Sequence, residues 1–290
     1  MKKLIFLLNL MFTSTNVLGM SIFLNVSSTN PNKTVYTIDN LSEELQKKYS
    51  DLETAINDAE IGRVKQILNS LKSTDVELLL HTMNKYGDLL LHRATRHNCE
   101  DIVQYLVEEK SVEVNLENKF KEEPLFFAVR GENENLVRYL INHGANVNNE
   151  DNYGIIALSY ATILKNKSLI KCLIECGANV EQQNKIGNSP LSYAIRSKDE
   201  SIVRYLKNNG SNVNQYNKYG LTPLLFAMSL KNKSMVQCLI ECGADVNQKH
   251  MYGITPLRFA QTYVNEDIAN LLIQNGAKDE DQENEEQSAS

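Results

Sequence analysis

The chain has 290 residues, is 42% hydrophobic and 23% charged, and has the balance of a folded, soluble protein. Its net charge of −6 is uneven: residues 279–290 hold six acids and no base, the first 19 residues hold Lys2 and Lys3, and residues 20–278 sum to −2. No basic run or stripe exists to neutralise phosphates, which argues against a nucleic-acid partner.

In chain order, Met1-Lys2-Lys3 is a short basic start, Leu4–Phe12 is apolar apart from Asn9, and Val17-Leu18-Gly19 supplies small or modest residues before Met20. This is the pattern of a secretory signal peptide over residues 1–19, too short to span a bilayer. If it is used, the protein is secreted or periplasmic; if Met20 is the true start, it is cytoplasmic. No later stretch is apolar for long enough to predict a membrane span. Residues 20–50 read as a linker followed by an opening helix. Asn40-Leu41-Ser42-Glu43 has the spacing of a capping box, with a helix continuing toward Ala59.

From there the chain repeats. Gly187-Asn-Ser-Pro-Leu-Ser-Tyr-Ala194, Gly220-Leu-Thr-Pro-Leu-Leu-Phe-Ala227 and Gly253-Ile-Thr-Pro-Leu-Arg-Phe-Ala260 begin 33 residues apart. The same phrase, degraded, precedes them at Gly154–Ala161, Lys121–Ala128 and, after a 34-residue step, Gly87–Ala94. A second phrase follows in phase, as in Leu136–Asn148 and Met235–Asn247, with apolar residues on one helical face. Asn133, Asn166, Asp199, Asn232 and Asn265 stand where an N-cap belongs. Gly144, Gly177, Gly210, Gly243 and Gly276 stand where a helix closes with positive φ. The prolines suit the first turn of the preceding helix. Each unit therefore reads as turn, short helix, tight connection, longer helix and extended loop.

A 33-residue period carrying G-x-T-P-L-x-x-A, a V-x-x-L-L helix and G-A-D/N-V-N resembles the ankyrin repeat family. The resemblance implies an all-α solenoid of stacked helix-turn-helix repeats with β-hairpin-like loops. Full repeats are expected at 84–117, 118–150, 151–183, 184–216, 217–249 and 250–278. Residues 51–83 form a degenerate N-terminal repeat with a longer loop around Ser73–Glu77, and residues 279–290 an acidic disordered tail that solvates the end or acts as a binding motif. The family's glycine between the two helices is replaced by Asn98, Glu132, Lys165, Lys198, Lys231 and Val264, which should weaken those connections. The repeat from Asp151 matches the one from Asn217 at 18 of 33 positions and its neighbour from Asn184 at 12, which points to duplication of a two-repeat block.

That duplication bears on the five cysteines: Cys99, Cys172, Cys176, Cys238 and Cys242. Each Cys-x-x-x-Cys pair shares a helix face and could offer two soft ligands. Cβ atoms at i and i+4 lie about 5–6 Å apart, too far for an easy disulfide. The simpler reading makes Cys172 and Cys238 core residues copied by duplication, with Cys176 and Cys242 the more exposed thiols. The histidines are scattered and match no catalytic spacing; His92 falls in the family's turn-stabilising slot. Asn25 and Asn166 begin glycosylation sequons, which an Asn-rich chain also produces by chance. Neither end is long enough to fold as a catalytic domain. No enzyme activity, cofactor or metal is expected.

The resemblance implies binding of a protein partner through hairpin tips and inner helices, by a monomer. One tip column holds Tyr86, Phe120, Tyr153, Ile186, Tyr219 and Tyr252. These rings either dock an extended partner surface or pack on the neighbouring hairpin. The chain is thus expected to be an interaction module, an exported effector or envelope-associated scaffold. The alternatives are a thiol- or metal-dependent activity on the Cys-x-x-x-Cys helices and a purely structural repeat protein.

Overall fold

Proline opens one helix of each pair and an Asn or Asp side chain opens the other. In the computed structural model, which describes residues 36–278, the chain falls into two compact units, one ending at Ser211 and one beginning at Asn212. The expected signal peptide, the first part of the linker and the acidic tail lie outside the described residues.

In the unit ending at Ser211, the helix pairs are Leu90–Arg96 with Glu100–Gln104, Pro124–Arg130 with Glu134–Asn142, Ala157–Ile163 with Lys167–Glu175, and Pro190–Arg196 with Glu200–Asn208. Pro124 and Pro190 sit in the first turn, where a missing N–H costs nothing. Asn133, Asn166 and Asp199 accept the backbone N–H of Leu136, Leu169 and Ile202 at 3.0, 3.0 and 3.1 Å. The short first helices are buried on nearly every side; Pro124–Val129 is wholly enclosed. They pack on their own second helix and on the first helix of the next repeat. A single pair could not cover that surface, so neighbouring repeats supply the core. Leu136, Val137 and Leu140 form the buried stripe of one second helix. Each such side chain contributes about 1.5–3 kcal/mol of hydrophobic stabilisation.

The replaced connections keep the glycine's geometry at an energetic cost. Asn98, Glu132, Lys165 and Lys198 take the glycine's left-handed backbone, with φ of 55°, 54°, 57° and 58°. Ala59 does the same at 56° between the helices of the degenerate repeat. The connection geometry is kept, at about 1–2 kcal/mol for each L-residue held there.

The 34-residue step also has a local cause. Glu100–Gln104 runs into a π turn at Tyr105–Glu109. Lys110 donates to the Tyr105 carbonyl at 3.2 Å, Val112 to that of Leu106 at 3.0 Å, and Ser111 takes the positive φ elsewhere given to glycine. The π turn absorbs the inserted residue and the next repeat resumes in phase.

The N-terminal segment departs from its expected course at three places. Asn40 does not cap the opening helix. It closes a 3₁₀ turn at Ile38–Asn40, where its Oδ1 accepts from the Thr37 backbone. Ser42 caps a helix over Glu43–Asn57 instead. The boundary at 50/51 therefore falls inside one helix, because the opening helix is the first helix of the degenerate repeat. Finally, Ser73–Leu80 is a helix rather than a loop, with Leu79 and Leu80 buried. The buried Tyr49 hydroxyl donates to the Thr82 carbonyl at 3.1 Å, tying this repeat to Thr82–Met83, which pairs in parallel with Tyr36–Thr37.

In the unit beginning at Asn212, Pro223–Ser229 pairs with Lys233–Glu241, and Pro256–Phe259 leads to Glu266–Gln274. Asn232 and Asn265 cap the second helices, and Gly243 and Gly276 close them. Lys231 holds the left-handed connection at φ 52°. Val264 does not. A β-branched side chain resists that region, and here the chain passes through a π turn at Ala260–Val264 into an extended Asn265.

Both units are stacks of helix pairs, the all-α solenoid class expected. The hairpin-like loops are turns rather than strands. Tyr36–Thr37 and Thr82–Met83 form the one strand pair among the described residues.

Candidate protein-binding surface

The tips are built by the first residue of each repeat. The Oδ1 of Asn84, Asn118, Asp151 and Asn184 accepts the backbone N–H two residues on, at 2.9, 2.8, 2.8 and 3.0 Å. Each also accepts the N–H four residues on, at 2.9–3.0 Å. Asn217 repeats this for Tyr219 and Leu221, and His250 Nδ1 accepts from Tyr252 at 3.2 Å. These Asx turns pin the backbone of the column residue itself. The sequence showed the column of Asn and Asp, but only as repeat starts; its role needs the turn geometry.

In the first unit, successive tips are also bonded to each other. The N–H of Lys119, Asn152 and Lys185 donates to the carbonyl of Gly87, Phe120 and Tyr153 at 3.2, 3.2 and 3.0 Å. Side chains brace the bases: Arg96 to Asp88 and Arg130 to Glu122, each at 2.5 Å, and the Tyr160 hydroxyl to Asp151 at 2.6 Å. His92 is wholly buried. Its Nδ1 accepts the Leu89 N–H at 3.3 Å, so Nε2 carries the proton toward the Glu122 carbonyl at 3.0 Å. Burial lowers its pKa to about 4, leaving a neutral strut between tips.

On this frame Tyr86, Phe120, Tyr153 and Ile186 are 55, 50, 63 and 46% exposed. In the second unit Tyr252 is 58% exposed, beside the equally exposed Met251, whereas Tyr219 is half-buried.

The cysteines divide by burial. Cys99, Cys172 and Cys238 are buried, and Cys176 and Cys242 half-buried. Burial pushes the Cys172 thiol up to about 12, the opposite of what an activated nucleophile needs. No group of three or more His, Cys, Asp or Glu is placed to hold a metal among the described residues. No described helix is long and apolar enough to cross a membrane.

One acidic group went unmarked in the sequence. Glu123 stands where Thr222 and Thr255 use a hydroxyl to cap the first helix, but it makes no cap hydrogen bond. It is only 2% exposed; Oε1 accepts from Asn149, and Oε2 has no hydrogen-bond partner. Burial, with a smaller contribution from Glu117, raises its pKa to about 7 against the pull of Asn149.

Stacked helix pairs presenting a row of braced tips define a repeat scaffold for holding another macromolecule. A profile for ankyrin repeats in three copies matches residues 110–184, 161–250 and 191–284, and a single ankyrin repeat matches 86–116. The chain belongs to the ankyrin repeat family, whose repeats are protein–protein interaction modules and typically non-catalytic. A similar solved structure is the ankyrin repeat domain of Bcl-3, described as a unique member of the IkappaB protein family. It is 21% identical with a TM-score of 0.66, over 77% of this chain and 97% of that one. At that identity the likeness concerns the fold.

Proposed function

We propose that this ankyrin module holds a protein partner along its hairpin tips, through Tyr86, Phe120, Tyr153 and Ile186 in one unit and Tyr219 and Tyr252 in the other. The observation that carries the reading is the row of large exposed side chains on hydrogen-bonded tips. Rigid aromatics offer contact area at low entropic cost, and scaffold-held tips lose little freedom on binding. Changing Tyr86, Phe120 and Tyr153 together to Ser should leave far-UV circular dichroism and melting nearly unchanged while removing a partner captured by the parent chain. A variant that retains that partner sinks the reading.

The module is further proposed to act outside the cytoplasm, as an exported effector or envelope-associated scaffold. The support is the basic, apolar and small-residue order of residues 1–19. N-terminal sequencing of the native protein tests it. A chain beginning at Met20 in an extracytoplasmic fraction supports export, and a cytosolic chain overturns it.

A further inference from the structure

The tips of the unit ending at Ser211 carry a charge pattern opposite to that of the whole chain. The triplets 85–87, 119–121, 152–154 and 185–187 contain Lys85, Lys119, Lys121 and Lys185 and no Asp or Glu, in a chain of net charge −6. All four lysines are exposed. Lys85 Nζ lies 4.9 Å from the Tyr86 ring centroid and Lys119 Nζ 5.0 Å from that of Phe120. Lys119 and Lys185 also donate to the Lys85 and Asn152 carbonyls of the preceding tips, at 3.4 and 2.5 Å. Of the acids flanking these tips, Asp88 is engaged with Arg96, Glu122 with Arg130 and Asp151 with Tyr160, while Glu117 and Glu150 are exposed. Lys85, Lys119 and Lys121 pair with no carboxylate among the described residues.

We infer that this edge takes an extended, acidic segment of a protein partner, its carboxylates on the lysines and its apolar side chains against Tyr86, Phe120, Tyr153 and Ile186. The inference rests on the tip-binding reading above and adds the chemistry of the partner. Packed helices repeat at about 8–10 Å, which an extended chain spans in about three residues at roughly 3.3 Å each. Four lysines on four tips therefore call for about one acid and one apolar residue per repeat, both of which a Glu-Glu-Leu repeat supplies. Exposed charges of this kind set partner choice and association rate more than total affinity.

The test uses the full chain and labelled synthetic peptides of repeated Glu-Glu-Leu, Gln-Gln-Leu and Lys-Lys-Leu, with a mixed-sequence DNA duplex alongside. The Glu-Glu-Leu peptide should bind about tenfold tighter than Gln-Gln-Leu and lose that margin as salt is raised. Changing Lys85, Lys119 and Lys121 together to Gln should erase the margin without altering circular dichroism or Gln-Gln-Leu binding. Changing them to Arg should preserve it. Equal affinity for the acidic and neutral peptides, with both lost in the Tyr86/Phe120/Tyr153 to Ser variant, overturns the acidic partner and leaves the aromatic edge standing. Binding of neither peptide, or tighter binding of the duplex, also overturns it. So does acidic-peptide binding that needs the six tail acids changed to amides, because the tail itself would then be the occupant.

Discussion

Lys165, Lys198 and Lys231 offer a direct measurement of what the helix connections cost. All three are exposed and held at φ 57°, 58° and 52°. An L-residue in left-handed backbone costs about 1–2 kcal/mol. Glycine removes that strain but has more unfolded-state freedom to lose, about 0.5–1 kcal/mol. Each Lys→Gly change should therefore stabilise by about 0.5–1 kcal/mol, and the triple variant by about 2 kcal/mol if the distant sites add. Urea titration followed by far-UV circular dichroism reads this as a higher midpoint with unchanged slope. Lys→Ala at the same positions removes the side chain's charge and length but keeps the Cβ, and should give no gain. If alanine stabilises as much as glycine, the backbone argument is wrong and the lysine side chain was the cause.

Further outcomes follow from single sites. Glu123 keeps its proton more firmly folded than unfolded, since its pKa rises from 4.5 to about 7. Its contribution is full below the unfolded value and is lost as pH rises through the folded one. The melting temperature should fall between about pH 4.5 and pH 7 in the parent, level off above that, and stay flatter in Glu123→Gln; an unchanged slope contradicts the assignment. Asn148 clamps the next repeat, donating to the Gly177 carbonyl at 3.1 Å and accepting the Asn179 N–H at 2.7 Å. Asn148→Ala should cost about 1–3 kcal/mol by denaturant titration. Glu181 fills the equivalent slot one repeat on, and a carboxylate has no N–H for the Gly210 carbonyl. Glu181→Asn should gain about 1 kcal/mol, and a loss of stability would count against that clamp. Timed alkylation read by mass spectrometry should modify Cys176 and Cys242 before Cys99, Cys172 and Cys238, as their burial orders them.

The sequence by itself determined the repeat, its helices and its punctuation. Pro at the first turn, Asn or Asp at the cap and Gly at the close act through local backbone geometry, so each was legible one residue at a time. The split between Cys172 and Cys176 was legible too, because helical period decides which side of a helix is buried. Tertiary structure decided what local rules leave open. Glu132, Lys165 and Lys198 adopt glycine's backbone because helices packed on both sides hold the connection, whereas Val264, whose Cβ is branched, yields to a π turn. Ser73–Leu80 is helical with Leu79 and Leu80 buried, a gain no propensity in that Ser-Thr-Asp stretch announced. The tip column was readable as a pattern. That five of its six side chains are exposed and Tyr219 is half-buried depends on how each tip sits against its neighbours, and contacts between residues some 33 positions apart are what period alone cannot specify.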